Sequence, residues 1–223
     1  MSSSEITIED APRRTLSSEL AEVVDSLNGQ DITLGELVDR IGDRGFGLLF
    51  LILALPAALP LPAPGYATPF GLLMMGLSVQ LMRGRHTPWF PERARGRAIS
   101  HKLLAFSVRN GGLPLRVVEF LVRPRWSGLA RNKVFLAAVA VIIFLMALSM
   151  SLPIPLTNTA PSFVIFVLAA GILEEDGLLL AAGLLLAPVA ASISIAALYI
   201  AITVGPEAVN ETVKPAIKGL LGL

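Results

Sequence analysis

The sequence predicts an all-α integral membrane protein: two Pro-broken hairpin repeats with amphipathic interfacial helices and an N-terminal helical cap. Three observations carry this expectation. A Pro-x-Pro break occurs twice, as Leu-Pro-Leu-Pro at 59–62 and Leu-Pro-Ile-Pro at 152–155, each time within a long apolar stretch. Hydrophobic residues make up 54% of the 223 residues and charged residues only 16%, against about 25% in a soluble domain. The remaining charges are sorted by sign along the chain.

Residues 1–44 form the expected cap. Leu16, Leu20, Val23, Val24 and Leu27 recur at helical spacing before an Asn28–Gly29 stop. A second helix is expected to start at Thr33, with Glu36 completing a capping box and Leu34, Leu37, Val38 and Ile41 on one face. Ten acidic residues oppose four arginines here. That balance repels phosphate and argues against nucleic acid as a partner of this helix pair. It suits a cytoplasmic cap packed on the membrane domain, or a partner surface. The first residues lack an apolar core, so a cleaved signal peptide is not expected.

Residues 45–83 form the first hairpin and 134–205 the second, extended by a long last helix. Pro60 overlays Pro153 and Pro62 overlays Pro155 at an offset of 93 residues, and Pro69 meets Pro161 after a slip of one. First arms are expected at 46–59 and 134–152, and second arms at 70–82 and 162–173. The second arms are shorter than the about 20 residues of a spanning helix, which makes them candidates for re-entrant half-helices. Irregular backbone at membrane depth survives only when buried in protein or lining a wet cavity, and paired broken segments point to a transporter-like site. The alternative is that the Pro-rich segments are ordinary loops outside the bilayer. Residues 178–204 are apolar and longer than a bilayer requires, with Pro188 expected to kink the helix or split it.

Residues 84–133, between the hairpins, have the opposite sign. From Arg83 to Lys133 twelve Lys and Arg face only Glu92 and Glu119, an excess that marks a cytoplasmic segment. Ile99, Leu103 and Phe106 are expected on one helix face, and Leu115, Val118, Leu121 and Val122 on another. Trp89 and Trp126 near the ends suit a headgroup region. A short tail, 206–223, follows the last helix.

Taken together, Leu55–Pro56, the 59–62 break, Gly84–Arg85, Pro88–Trp89–Phe90–Pro91, Arg123–Pro124–Arg125, the 152–155 break with Asn158 and Pro161, and Glu175–Asp176–Gly177 resemble the ExoD family. The resemblance runs over roughly residues 33–205. Ala63–Pro64–Gly65 departs from it, since a Pro-Gly pair is expected earlier, and this leaves the loop alignment open. The resemblance implies a multi-pass protein of the bacterial inner membrane connected to exopolysaccharide synthesis, and supplies no catalytic residues.

Catalysis finds little support in the residues. Cysteine is absent, His86 and His101 lie too far apart for a one-turn metal pair, and no nucleophile elbow, phosphate loop or dinucleotide fingerprint occurs. No cofactor or metal is expected. Candidate ligand- or ion-binding residues are polar groups beside the apolar arms. Tyr66 and Thr68 in the first hairpin and Thr157, Asn158 and Thr159 in the second would meet where the hairpins meet, or serve only as local turn chemistry. Glu174, Glu175 and Asp176 would bind a cation or relay protons if drawn inside, and are a polar turn if they sit at the interface. Arg83 and Arg85, beside His86, suit the phosphate of a lipid-linked saccharide, or anchor topology. Pro60, Pro62, Pro69, Pro153, Pro155 and Pro161 are structural. Small residues such as Gly71, Gly76 and Gly183 permit close helix packing, including a homodimer. The leading expectation is a non-enzymatic, transport-like or lipid-carrier-handling role; the competing one is a scaffold that organises polysaccharide-synthesis enzymes.

Overall fold

The computed structural model describes residues 22, 24–58, 67–99, 125–152 and 158–203. Within them the chain is mainly helical. A two-residue strand β1 (Ile32–Thr33) leads into α1 (Leu34–Ile41), whose capping box forms as expected: Glu36 N–H donates to Thr33 Oγ1 and Thr33 N–H to the Glu36 carboxylate. A 3-10 turn, Gly42–Arg44, then bends the chain by 116° into the apolar helix α2 (Gly45–Ala58). The helices α3 (Ala67–Met82), a short α4 (Glu92–Arg95), strand β2 (Ala98–Ile99), a short α5 (Ser127–Ala130), α6 (Lys133–Ser151), α7 (Thr159–Leu173) and α8 (Gly177–Thr203) follow.

Ile99, expected on an interfacial helix face, instead pairs in β2 with Ile32 of β1. Its expected companions Leu103 and Phe106, the second amphipathic face and both Pro-x-Pro breaks lie outside the described residues. The acidic cap is tied to the basic section: beyond the β1–β2 ladder, Arg95 Nη2 meets Asp39 Oδ2 at 2.6 Å.

The four hairpin arms exchange partners. α2 packs chiefly on α7 and α3 chiefly on α6, while the two arms of the first hairpin touch each other less. The first arm of each hairpin therefore lies on the second arm of the other. Glycine permits both close approaches, because a Cβ at Gly47 would stand 2.8 Å from the Leu173 nitrogen and one at Gly71 would stand 2.8 Å from the Ala147 carbonyl oxygen. Shifted by the 93 residues that align the prolines, five buried positions of α6 fall on buried positions of α2: Val139 on Phe46, Ala140 on Gly47, Ile143 on Phe50, Ala147 on Ala54 and Met150 on Ala57.

Both hairpins point the same way. Phe46, Leu81, Leu136 and Ile172, from the beginnings of α2 and α6 and the ends of α3 and α7, line one cavity at the mouth of the bundle. At the other end, the tips, Thr68 Oγ1 donates to the Ser151 carbonyl across the two hairpins. The core between these ends is apolar, with Phe50, Met74, Ile143, Met150, Ile165 and Leu168 fully buried.

By length and composition α6 and α8 are each able to cross a membrane, whereas α3 and α7 are shorter apolar helices. At 1.5 Å per residue α2, α3 and α7 measure about 21–24 Å, α6 about 28 Å and α8 about 40 Å. α8 begins at the mouth and runs towards the tips. Pro188 does not split it: the helix is continuous through 27 residues. Large apolar side chains on its outer side, such as Leu185 and Ile195, are exposed, as a lipid-facing surface requires.

Candidate functional site

The mouth is assembled from four chain segments. After α3 the chain turns at Gly84, with φ +73°, and Arg85 N–H returns to the Gln80 carbonyl. Gln80 then binds the backbone of Trp89 in both directions, donating from Nε2 to O at 3.1 Å and accepting at Oε1 from N at 2.6 Å. These bonds hold the 84–89 loop against the end of α3.

The second hairpin contributes the opposite wall. Asn132 caps α6, its Oδ1 accepting from Val134 and Phe135 N–H, which places Arg131 and Lys133 at the start of that helix. α7 closes in a Schellman turn: Asp176 N–H reaches the Gly171 carbonyl and Glu175 N–H the Ile172 carbonyl, with Glu175 in the left-handed region at φ +52°. A non-glycine residue there costs roughly 1–2 kcal/mol. The conformation aims Glu175 at Arg131, whose Nε and Nη2 donate to its Oε2 at 2.9 and 2.7 Å.

The product is a cavity of about 380 Å³ with an apolar lining of Phe46, Leu81, Leu136 and Ile172 and a polar lining of Arg85, His86, Arg131, Lys133 and Glu175. Among the described residues, three cations, Arg85, Arg131 and Lys133, face one carboxylate, which already pairs with Arg131. An apolar wall beside excess guanidinium and ammonium suits an amphiphile with an anionic head. Trp89 and Trp126, 54% and 66% exposed, lie at this end, where an aromatic belt would sit.

The candidates read from sequence divide between the two ends. Arg83, Arg85, Glu174, Glu175 and Asp176 are at the mouth; Thr68, Asn158 and Thr159 are at the tips; Tyr66 and Thr157 fall outside the described residues. The acidic trio forms a turn between α7 and α8. Asp176 Oδ1 accepts from Leu178 and Leu179 N–H and so caps α8, Glu175 pairs with Arg131, and Glu174 ends α7. Thr159 opens α7, while Asn158 accepts through its carbonyl from Ser162; its side-chain Oδ1 is buried without a hydrogen-bond partner among the described residues. Pro69 and Pro161 lie in the first turns of α3 and α7, where the missing N–H costs nothing.

Arg131 and Lys133 were missing from the sequence-derived candidates. A signal was available: they precede the second hairpin directly, as Arg83 and Arg85 follow the first. Nothing in the sequence shows that these two flanks share one mouth.

A family model described as "Exopolysaccharide synthesis, ExoD" matches residues 16–196. The chain belongs to the ExoD family. Protein ExoD of Rhizobium meliloti is 34% identical over 174 residues, which is 77% of this chain and 72% of that protein. An uncharacterised protein of Synechocystis sp. is also 34% identical, over 77% of this chain and 81% of its own length. No solved structure matches. Membership of the ExoD family implies involvement in exopolysaccharide synthesis, and the apolar helices α6 and α8 are compatible with membrane association.

Proposed function

We propose that this ExoD-family chain is a multi-pass, non-enzymatic protein of the bacterial inner membrane that binds a phosphate-bearing, lipid-linked precursor of the polysaccharide from the cytoplasmic side. The observation that carries the reading is the cationic, apolar-walled cavity at the shared mouth of the two hairpins. Arg85 and Lys133 are the side chains assigned to the phosphate, and Arg131 joins them when the ligand competes with Glu175.

Orientation follows from the same residues. Basic side chains gathered at the mouth favour the cytoplasmic side, and α8 then carries the chain across, with Thr203 towards the outer side. The exchanged pairing of arms and the matching burial of α2 and α6 support a duplicated hairpin whose copies are parallel. Parallel copies open on one face. That favours a role in capturing and handing over a lipid-linked intermediate over alternating access between inverted halves.

The reading is tested by complementing a strain that lacks the gene. Arg85→Ala with Lys133→Ala is expected to reduce exopolysaccharide to background at normal membrane levels of the protein. Charge reversal at Asp25 and Asp31 on the cap is expected to leave it unchanged. The opposite pattern, with output surviving the mouth variant and lost with the cap variant, replaces this reading by a scaffold for synthesis enzymes.

A further inference from the structure

A second hollow, of about 460 Å³, lies on the outer side of α3 and α6. Its apolar part is formed by Met75, Gly76, Val79 and Phe144, and its polar end by Arg83 and Arg85 with Trp89 beside them. Arg85 borders both this groove and the mouth cavity. Gly76 is exposed, and a Cβ built there meets nothing within 4 Å, unlike one at Gly71 on the same helix, which meets α6. Gly76 therefore opens the groove and contributes nothing to the close packing of α3 on α6. Leu72 and Leu73 of the same helix are also exposed, so the groove lies on an apolar surface that lipid would cover.

We infer that this groove holds the apolar chain of a membrane lipid whose phosphate head is gripped by Arg83 and Arg85. The inference rests on the lipid-handling reading above and adds where the chain goes. Charge selects the occupant: among the described residues, two guanidinium groups stand at one end and no carboxylate lines the groove, so an anionic head is matched there and a zwitterionic one less well. Chemistry selects the orientation. The arginines lie beyond the last turn of α3, at the interface beside Trp89, and Val79, Gly76 and Met75 run from there towards the tips, as a chain descends from its headgroup. Because Arg85 is shared, a lipid seated here presents its head to the mouth cavity without its chain leaving the bilayer.

Trp89 is its own reporter. In a Trp126→Phe background, purified protein is reconstituted in phosphatidylcholine vesicles containing a minor fraction of lipid brominated near the head, either phosphatidylglycerol or phosphatidylcholine. Quenching of Trp89 by brominated phosphatidylglycerol is expected to exceed that by brominated phosphatidylcholine several-fold. Gly76→Phe, which fills open space, is expected to remove the excess while leaving the melting temperature unchanged. Arg83→Gln with Arg85→Gln is expected to remove it as well, and added inorganic phosphate to leave it intact. Equal quenching by the two lipids overturns the inference, as does an excess that survives Gly76→Phe. Displacement by free phosphate reduces the site to a headgroup pocket without a chain groove, and a change in particle mass with Gly76→Phe assigns the groove to a second copy of the chain. Selective quenching in protein that keeps Gly76, together with normal exopolysaccharide in Gly76→Phe cells, overturns the functional reading and leaves the groove; equal quenching by the two lipids, together with exopolysaccharide lost in the Arg85→Ala, Lys133→Ala variant, overturns the groove and leaves the functional reading.

Discussion

Arg131 and Glu175 join the two ends of the second hairpin across its mouth, Nη2 to Oε2 at 2.7 Å, with Glu175 held in a left-handed conformation that glycine would adopt more cheaply. The pair is half exposed, at 63% and 37%, so its own contribution to stability is about 0–1 kcal/mol. Its consequence is electrostatic. The carboxylate neutralises one of the cations that line the cavity, in competition with any anion that enters.

Glu175→Gln is therefore expected to change stability little and to raise affinity for anionic lipid by about 2–5-fold, the factor corresponding to roughly 0.5–1 kcal/mol of exposed ion pairing. Binding isotherms at low and high salt check it. A drop in affinity would assign Glu175 to positioning Arg131 for the ligand.

Glycines at the two crossed-arm contacts and the glycine in the groove should behave oppositely. Gly47→Ala and Gly71→Ala push a methyl against backbone atoms of α7 and α6, and each is expected to destabilise by about 1–3 kcal/mol. Gly76→Ala meets open space and is expected to be neutral or to stabilise by up to about 1 kcal/mol through helix propensity. Thermal unfolding in detergent ranks the three; similar losses at all would contradict the separation of packing glycine from groove glycine.

The cap offers a dependence on pH whose sign is set by its hydrogen bonds. Backbone and side-chain bonds from Thr33 hold the Glu36 carboxyl below its ordinary value of 4.5. A depressed folded-state value means that the stabilisation is present above that ordinary value and disappears as pH falls through the lowered one. Amide exchange in α1, corrected for intrinsic rates, should lose protection in that acid window. Glu36→Gln should remove the pH effect, whereas Thr33→Ala, which keeps the backbone N–H that donates to Glu36, should reduce it and weaken the helix by about 1 kcal/mol at neutral pH. Unaltered acid sensitivity in Glu36→Gln would place its origin elsewhere.

Topology is open to direct test because the chain has no native cysteine. Single cysteines at Thr87 and Ser127, both beside the mouth, are expected to react with impermeant maleimide from one side of the membrane, and a cysteine at Thr203 from the other. Thr87 and Ser127 reacting from opposite sides would refute parallel hairpins.

At the tips, Asn158 Oδ1 is buried and has no hydrogen-bond partner among the described residues. Asn158→Ala removes a desolvated acceptor that makes no bond to them, so it is expected to leave the unfolding midpoint unchanged or raise it slightly. A loss of more than about 2 kcal/mol would mean that a bound water or ion normally completes the site.

The composition and the two proline breaks were enough to determine a helical chain with apolar helices able to cross a membrane, the arm boundaries to within about three residues and the capping box at Thr33, because each depends on local pattern: apolar run length, missing donors and side chains three residues apart. Membership of the ExoD family was legible in the same motifs. The arrangement of the arms was not. Whether α2 lies on α3 or on α7 depends on which distant backbone Gly47 and Gly71 can approach, and an apolar helix carries no periodicity that names its partner. The same limit hid the site. Arg85 and Arg131 are 46 positions apart in the chain, and only the crossed packing of two parallel hairpins brings their flanks to one mouth. That packing also separates Asn158 from the acidic turn, which the sequence alone left free to meet. Continuity of α8 through Pro188 was likewise settled by tertiary context, since neighbouring helices can hold a span whose internal hydrogen bond proline removes.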